Sequence, residues 1–282
     1  MLKKLVIIST LGLGSLLYAK VNAVVSILPQ KTFVEAIGGD KVNVSLMVKP
    51  GNSPHTYEPK PSQMKDISKA ELYFSINIEF EKAWLPKFKS LNKNMEIVNI
   101  SNGITRLAIE KHSHDEHKKH EGLDPHVWTS PANVKIIAKN IYNELEHHDK
   151  ANASYYKANY EKLLNHIKKT DKQIKKILID VETASKFMVF HPAWGYFARE
   201  YGLTQIAIEA GGKNPKPKQV MHLIHEAKEE NVKAVLTAPE FSDKVAKQIA
   251  NEINVPVVKI SPLNPKWAKN LIKLANTIAN KH

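Results

Sequence analysis

The order of its apolar runs constrains this chain more than any other feature. Short β-branched stretches alternate with helical patterns from residue 21 onward. They cover 21–28 (VNAVVSIL), 42–48, 71–77 and 96–100, then 185–191, 203–208, 232–238 and 256–261. Their apolar character is continuous rather than alternating, which marks strands covered on both faces and hence parallel sheets with crossover helices. The candidates fall into two groups of four. Between the groups, residues 151–181 read as one helix, because Tyr156, Tyr160, Leu163, Leu164, Ile167, Ile174 and Ile177 recur near a 3.6-residue period with no Gly or Pro among them. The expected fold class is therefore α/β, with two lobes, each a four-stranded mainly parallel sheet flanked by helices, joined by one long rigid helix. The expected divisions are an N-terminal lobe over 20–150, the linking helix over 151–181 and a C-terminal lobe over 182–282. Domain linkers are commonly flexible and rich in Gly or Pro. A helical connector instead implies limited hinge motion.

The chain has 282 residues, 43% of them hydrophobic, which is enough to give both lobes a core. Residues 1–19 set Lys3 and Lys4 ahead of an apolar run from Leu5 to Leu17 and the small residue Ala19. That is the pattern of a secretory signal peptide cleaved after Ala19. The run falls short of the about 20 apolar residues that a membrane span requires. Cysteine is absent, which excludes disulfides, thiolate metal sites, cysteine nucleophiles and a lipid-modified N-terminal cysteine. An exported chain with neither disulfide nor lipid anchor is expected in the periplasm. Removing Lys3 and Lys4 takes the formal charge from +13 to +11, and the lysines are scattered through helical stretches such as YEKLLNHIKKTDKQIKKIL. Without aromatic-basic interleaving or a Gly-rich phosphate loop, this describes solvated helix faces and no nucleic-acid partner.

In open parallel sheets, ligands bind beyond the carboxyl ends of the strands, and three histidines can be assigned there. His55 lies in VKPGNSPHTYEPKPSQ, after the run ending at Val48 and before a helix whose expected N-cap is Ser62. Prolines 50, 54, 59 and 61 stiffen that loop. His126 stands between Pro125 and the Val127-Trp128 pair, followed by Ser130 as N-cap and Pro131 at the first helical position. His191 ends a strand, and Pro192 is expected to open a helix, PAWGYFAREY, closed by Gly202. Any one of them taken alone reads first as a capping or half-buried structural histidine. Together they sit on one face of two lobes at proline-stiffened junctions. Neutral imidazole is the commonest nitrogen ligand for metals, and three of them with bonds of about 2.0–2.1 Å make a Zn²⁺ site.

The stretches PHTYEPKPSQ, DPHVWTSP, VFHPAWGYFAREYGL, and VLTAPEFSDKVAKQIA followed by ISPL span the chain after residue 20. Through them it resembles the periplasmic zinc-binding (solute-binding) proteins of ABC importers, the cluster A-I metal-receptor family that also serves manganese and iron. The resemblance implies a non-enzymatic receptor that takes Zn²⁺ in the cleft between its lobes and delivers it to a permease in the inner membrane. The family's ligand positions fall on His55, His126 and His191. Relatives for manganese or iron place a carboxylate at the third position, so His191 points to zinc, and softness agrees. Many relatives draw a fourth ligand from an acid near the ISPL segment. Here no acidic residue follows Glu252, and Ser261 and Asn264 stand in that neighbourhood. Water is the first choice for the fourth position; Glu58, Glu209, Glu240 or a loop histidine are the others.

Residues 112–121 carry His112, His114, His117 and His120 among charged residues without apolar periodicity, the composition of a flexible loop. Zinc importers of the family often carry such a loop, which implies auxiliary low-affinity capture of Zn²⁺. Asp115, Glu116, Glu121 and Asp124 add local negative charge that favours cation approach. His222 and His225, at i and i+3, read as an ordinary helix face. His147, His148, His166 and His282 show no convergence. Two competing readings remain, a manganese or iron receptor of the same fold and a three-histidine zinc hydrolase. The hydrolase needs a general base, for which Glu58 is the nearby candidate, and the sequence holds no HExxH element. The receptor is expected to be a monomer.

Overall fold

The computed structural model describes residues 20–108, 122–209 and 213–281. The segment 1–19, the histidine-rich tract 112–121 and His282 lie outside the described residues.

All eight expected strands form. In the first lobe β1 (Val21–Val25), β2 (Val42–Leu46), β3 (Leu72–Ser75) and β4 (Glu96–Asn99) make one parallel sheet in the order β2-β1-β3-β4. In the second, β5 (Lys186–Val189), β6 (Thr204–Ala207), β7 (Val235–Thr237) and β8 (Val257–Lys259) make another in the order β6-β5-β7-β8. The two lobes thus follow one plan, each with a topological switch point between its first and third strands. Every strand is shorter than the apolar run that announced it. The excess residues are buried beyond the strand ends: Ile27, Met47, Val48, Ile76, Phe190 and Ile208 all lie in the core.

The first lobe carries α1 (Leu28–Gly38), α2 (Pro61–Lys69), α3 (Glu79–Leu91) and α4 (Pro131–His148). The connector α5 (Ala153–Ile177) follows a 3-10 turn over Lys150–Asn152 and lies within the expected span. The second lobe carries α6 (Gly195–Glu200), α7 (Pro217–Glu229), α8 (Lys244–Glu252) and α9 (Trp267–Ile278). No helix among the described residues is long and apolar enough to cross a membrane. Ser130 caps α4 as expected, accepting from the Asn133 amide at 3.2 Å. Two expected helix starts are displaced. Pro61 rather than Ser62 opens α2, where the Gln63 side chain reaches back to the Lys60 amide at 3.0 Å. Likewise α6 starts at Gly195, not Pro192: a tight turn with the Ala193 amide on the His191 carbonyl at 2.8 Å precedes it, and the Trp194 amide donates to the Gln205 side chain at 3.1 Å. Gly202 follows that helix at φ +67, the left-handed position that favours glycine.

The connector packs on α1 and α4 of the first lobe and on α9 of the second. It is not a bare rod. One apolar cluster runs from Val24, Phe33 and Phe74 through Trp128 and Ile167 to Trp194, Phe197 and Trp267. In β5, Phe187 and Val189 join this shared core while Met188 joins a second cluster with Ile224 and Ile249, the alternation of a strand covered on both faces. Two indoles tie the lobes: Trp128 Nε1 donates to the Pro262 carbonyl at 2.8 Å, and Trp267 Nε1 to the Trp128 carbonyl at 2.7 Å. Wide opening would re-expose this core, at about 1.5–3 kcal/mol for each large apolar side chain.

Candidate metal centre

His55, His126 and His191 all lie beyond carboxyl ends of strands. His55 is in the loop from β2 to α2. His126 leads into a 3-10 turn, Val127–Thr129, ahead of α4, and His191 stands just past β5. They line one pocket between the lobes with Glu79, Trp128, Glu240, Phe241 and several apolar residues.

Each imidazole meets a carboxylate at Nδ1. The His126 contact is to Asp124 Oδ1 at 2.8 Å, that of His191 to Glu209 Oε1 at 2.6 Å, and that of His55 to Glu79 Oε2 at 2.6 Å. A neutral ring that donates its Nδ1 proton to a carboxylate keeps the lone pair on Nε2 for a metal, and its orientation is held as well. The Nε2 atoms of His126 and His191 face each other at 3.2 Å. Two nitrogens bound to one tetrahedral Zn²⁺ would stand about 3.3–3.4 Å apart. Two lone pairs so placed suit a cation between them.

The supports of this pair are buried. Side-chain exposure is 11% for His126 and 8% for Asp124, and 10% for His191 and 4% for Glu209. Asp124 Oδ1 also accepts the His126 amide at 2.9 Å, and Tyr196 donates its hydroxyl to the Asp124 carbonyl at 2.8 Å across the lobe boundary. Gly195 makes room for that aspartate, since a Cβ there would lie 2.9 Å from Asp124 Oδ2. Phe241 stacks on His191 with centroids 4.6 Å apart. Burial holds the His191 pKa below the usual histidine value, the hydrogen bond to Glu209 opposing it and the nearby His126 adding to it.

His55 is different. Its side chain is 35% exposed, its partner Glu79 62%, and its ring centroid is 5.3 Å from that of His191. The hydrogen bond to His55 holds the Glu79 carboxyl below its usual range. Among the described residues, the trio of His, Asp or Glu donors drawn within 4.8 Å of one another is Glu96, Glu144 and His148, at the opposite end of the first lobe. The cleft histidines are not drawn that close, so two donors are preset and the third stands off.

His148 therefore converges after all, and Glu71 Oε2 adds a contact at 3.2 Å. Glu144 is one turn back on α4, whereas Glu96 and Glu71 come from strand starts that the helix pattern does not reveal. Of the carboxylates weighed for a fourth position, Glu58 is exposed and off the pocket, Glu209 serves His191, and Glu240 lines the pocket. His222 and His225 are exposed on α7, where His225 Nδ1 lies 3.2 Å from Glu229. Sequence reasoning missed Asp124 and Glu79 as partners of the rings. Asp124, two residues before His126, was the one with a local signal.

The profile of a protein family described as "Zinc-uptake complex component A periplasmic" matches residues 23–281. The chain belongs to this family. It is 31% identical over 253 residues to the high-affinity zinc uptake system protein ZnuA of Bacillus subtilis, covering 86% of this chain and 79% of that one. It is 29% identical over 270 residues to the zinc-binding protein AdcA of Streptococcus pyogenes, covering 89% of this chain. The match takes in 52% of that relative, so the chain spans about half the length of the streptococcal protein. Among solved structures, a crystal structure of ZnuA superposes with a TM-score of 0.86 at 40% identity, covering 93% of this chain and 99% of that one. Membership of the uptake family carries the two-lobe α/β fold with it.

Proposed function

We propose that this chain is the zinc-capturing receptor of an ABC importer. It takes Zn²⁺ as cargo in the cleft on Nε2 of His55, His126 and His191 and hands it to a membrane permease. The observation that carries this reading is the His126–His191 pair, with its facing Nε2 atoms 3.2 Å apart and each Nδ1 tied to a buried carboxylate. The donor set fits the ion: imidazole nitrogen suits Zn²⁺, whereas hard Mn²⁺ favours carboxylate oxygens. The family description and the names of the relatives support the same cargo. The family consists of uptake components, so the chain is a solute receptor rather than an enzyme. Its description also supports a place outside the cytoplasm, as does the export segment read at residues 1–19 with cleavage after Ala19. His112, His114, His117 and His120 serve as an auxiliary, weaker capture tract, because they carry ligands without a rigid scaffold to preorganise them.

Metal analysis of protein purified without chelator tests the reading, together with titration against a chromophoric zinc chelator. The expected result is one tightly held zinc per mature chain and additional weak binding that disappears when residues 112–120 are deleted. Manganese or iron in place of zinc, or tight binding that survives both His126→Ala and His191→Ala, overturns it.

A further inference from the structure

Three histidines leave a tetrahedral ion with one position to fill. This inference rests on the zinc-site reading above. Among the described residues two acidic side chains line the pocket, and Glu79 is committed to His55. The other is Glu240, in the turn after β7, and its two oxygens are in unlike situations. Oε1 accepts the Ser261 hydroxyl at 2.7 Å, whereas Oε2 is buried and has no hydrogen-bond partner among the described residues. A buried carboxylate oxygen without a partner is costly in any folded protein and calls for a missing ligand.

We propose that Glu240 supplies the fourth zinc ligand through Oε2. The surroundings are built to aim it. Ser261 is fixed at the end of the β8 segment, where its hydroxyl oxygen accepts the Leu263 amide at 3.0 Å and its carbonyl accepts from Asn270 Nδ2 at 2.8 Å. By donating to Oε1 it fixes the carboxylate and leaves Oε2 for the ion. The next residue, Phe241, stacks on His191 and ties the turn to a ring already in place. So although the chain has no acid after Glu252, the segment beyond β8 contributes a hydroxyl that positions a carboxylate borrowed from the neighbouring strand. A carboxylate among three neutral imidazoles also halves the net charge that Zn²⁺ brings into a buried site, which lowers the desolvation cost. Like His55, Glu240 is not drawn to ligand spacing around the preset pair. These are the two donors that the ion pulls in.

The test is a chelator-competition measurement of zinc affinity and the visible absorption of the Co²⁺-substituted protein, on the full mature chain. Glu240→Gln keeps the shape and the Ser261 contact but removes the anionic ligand. It is expected to weaken zinc on the order of 100-fold, the share of one ligand in four, and to alter the Co²⁺ bands. Ser261→Ala leaves the carboxylate but releases its aim, and is expected to cost about 10-fold. The double variant should lose no more than Glu240→Gln alone, the sign of two residues acting as a unit. Wild-type affinity and wild-type Co²⁺ bands in Glu240→Gln, or additive losses in the double variant, overturn the assignment. His126→Ala in the same series separates the two claims: if it loses tight binding while Glu240→Gln does not, this proposal fails alone, and if it binds as wild type, the cleft reading fails with it.

Discussion

His126 and His191 lie 65 residues apart in different lobes, whereas His55 shares its lobe with His126. The cross-lobe pair is nonetheless the tighter one. Behind each of its rings stands a carboxylate at most 8% exposed; Asp124 is packed by Tyr196 and Gly195, and the His191 ring that meets Glu209 is itself stacked by Phe241. Behind His55 stands Glu79, 62% exposed, although the His55 loop holds the most prolines. Prolines stiffen a backbone; a buried hydrogen-bond partner stiffens a side chain. The first can be read along the chain, and the second cannot. The proposed centre therefore has a preset half and a looser half, and a ligand already in place loses less freedom when an ion arrives.

The largest effect expected is the loss of a preset ligand. Apparent zinc affinities of about 10–16 kcal/mol shared by four ligands put about 2.5–4 kcal/mol on each, so His126→Ala and His191→Ala should each weaken zinc about 10²–10³-fold. His55→Ala should cost less, about 10-fold, because part of its contribution is offset by ordering its loop. Calorimetric competition titrations compare the three directly, and equal losses would erase the distinction between the halves.

The partners of the rings come next. Glu209→Gln and Asp124→Asn should each weaken zinc about 10–100-fold. Glu79→Gln should change it only a few-fold, since an exposed pair contributes about 0–1 kcal/mol. A Glu79→Gln variant as damaged as Glu209→Gln would show that the His55 half is held as firmly as the other.

A smaller effect concerns pH in the metal-free protein. His191 has its pKa lowered from 6.5 by burial. Above about 6.5 the ring is neutral whether folded or unfolded, and its contribution to stability is complete. As pH falls through that value the unfolded chain takes up a proton that the folded chain refuses, so stability drops until the folded pKa is reached. Thermal melts of metal-free wild type should therefore fall more steeply from pH 7 to pH 5 than those of His191→Gln. Parallel curves would mean that this ring is not held neutral by its surroundings.

The smallest expected change is in overall shape. The shared core around Trp128 and Trp267 and the packing of α5 against both lobes resist separation, so closure should be confined to the His55 loop and the Glu240 turn. Solution scattering of metal-free and zinc-loaded protein should differ only slightly in radius of gyration. A large compaction would move the loose half of the site from a loop to a whole lobe.

Strand positions and the connector were legible because their signals are local: β-branched runs bounded by turn residues, and an unbroken 3.6-residue period from Tyr156 to Ile177. The placement of His55, His126 and His191 in one pocket was legible for a similar reason, each standing at a junction marked by prolines. Helix starts at Pro61 and Gly195 were misjudged by a few residues: Gln63, inside α2, caps the Lys60 amide, and a tight turn over His191–Ala193 precedes α6.

By itself, then, the sequence determined two four-stranded parallel lobes, the helix between them and three imidazoles at strand ends. Only the tertiary structure decided which acids stand behind His55 and His191 and which hydroxyl holds Glu240. Glu79 is 24 residues from His55, Glu209 is 18 from His191, and Ser261 is 21 from Glu240. Parallel strands cannot be joined by tight turns, so every strand end is flanked by ends that lie a crossover away in sequence. Which ends are neighbours follows from the sheet orders β2-β1-β3-β4 and β6-β5-β7-β8, and no local pattern in the chain encodes them.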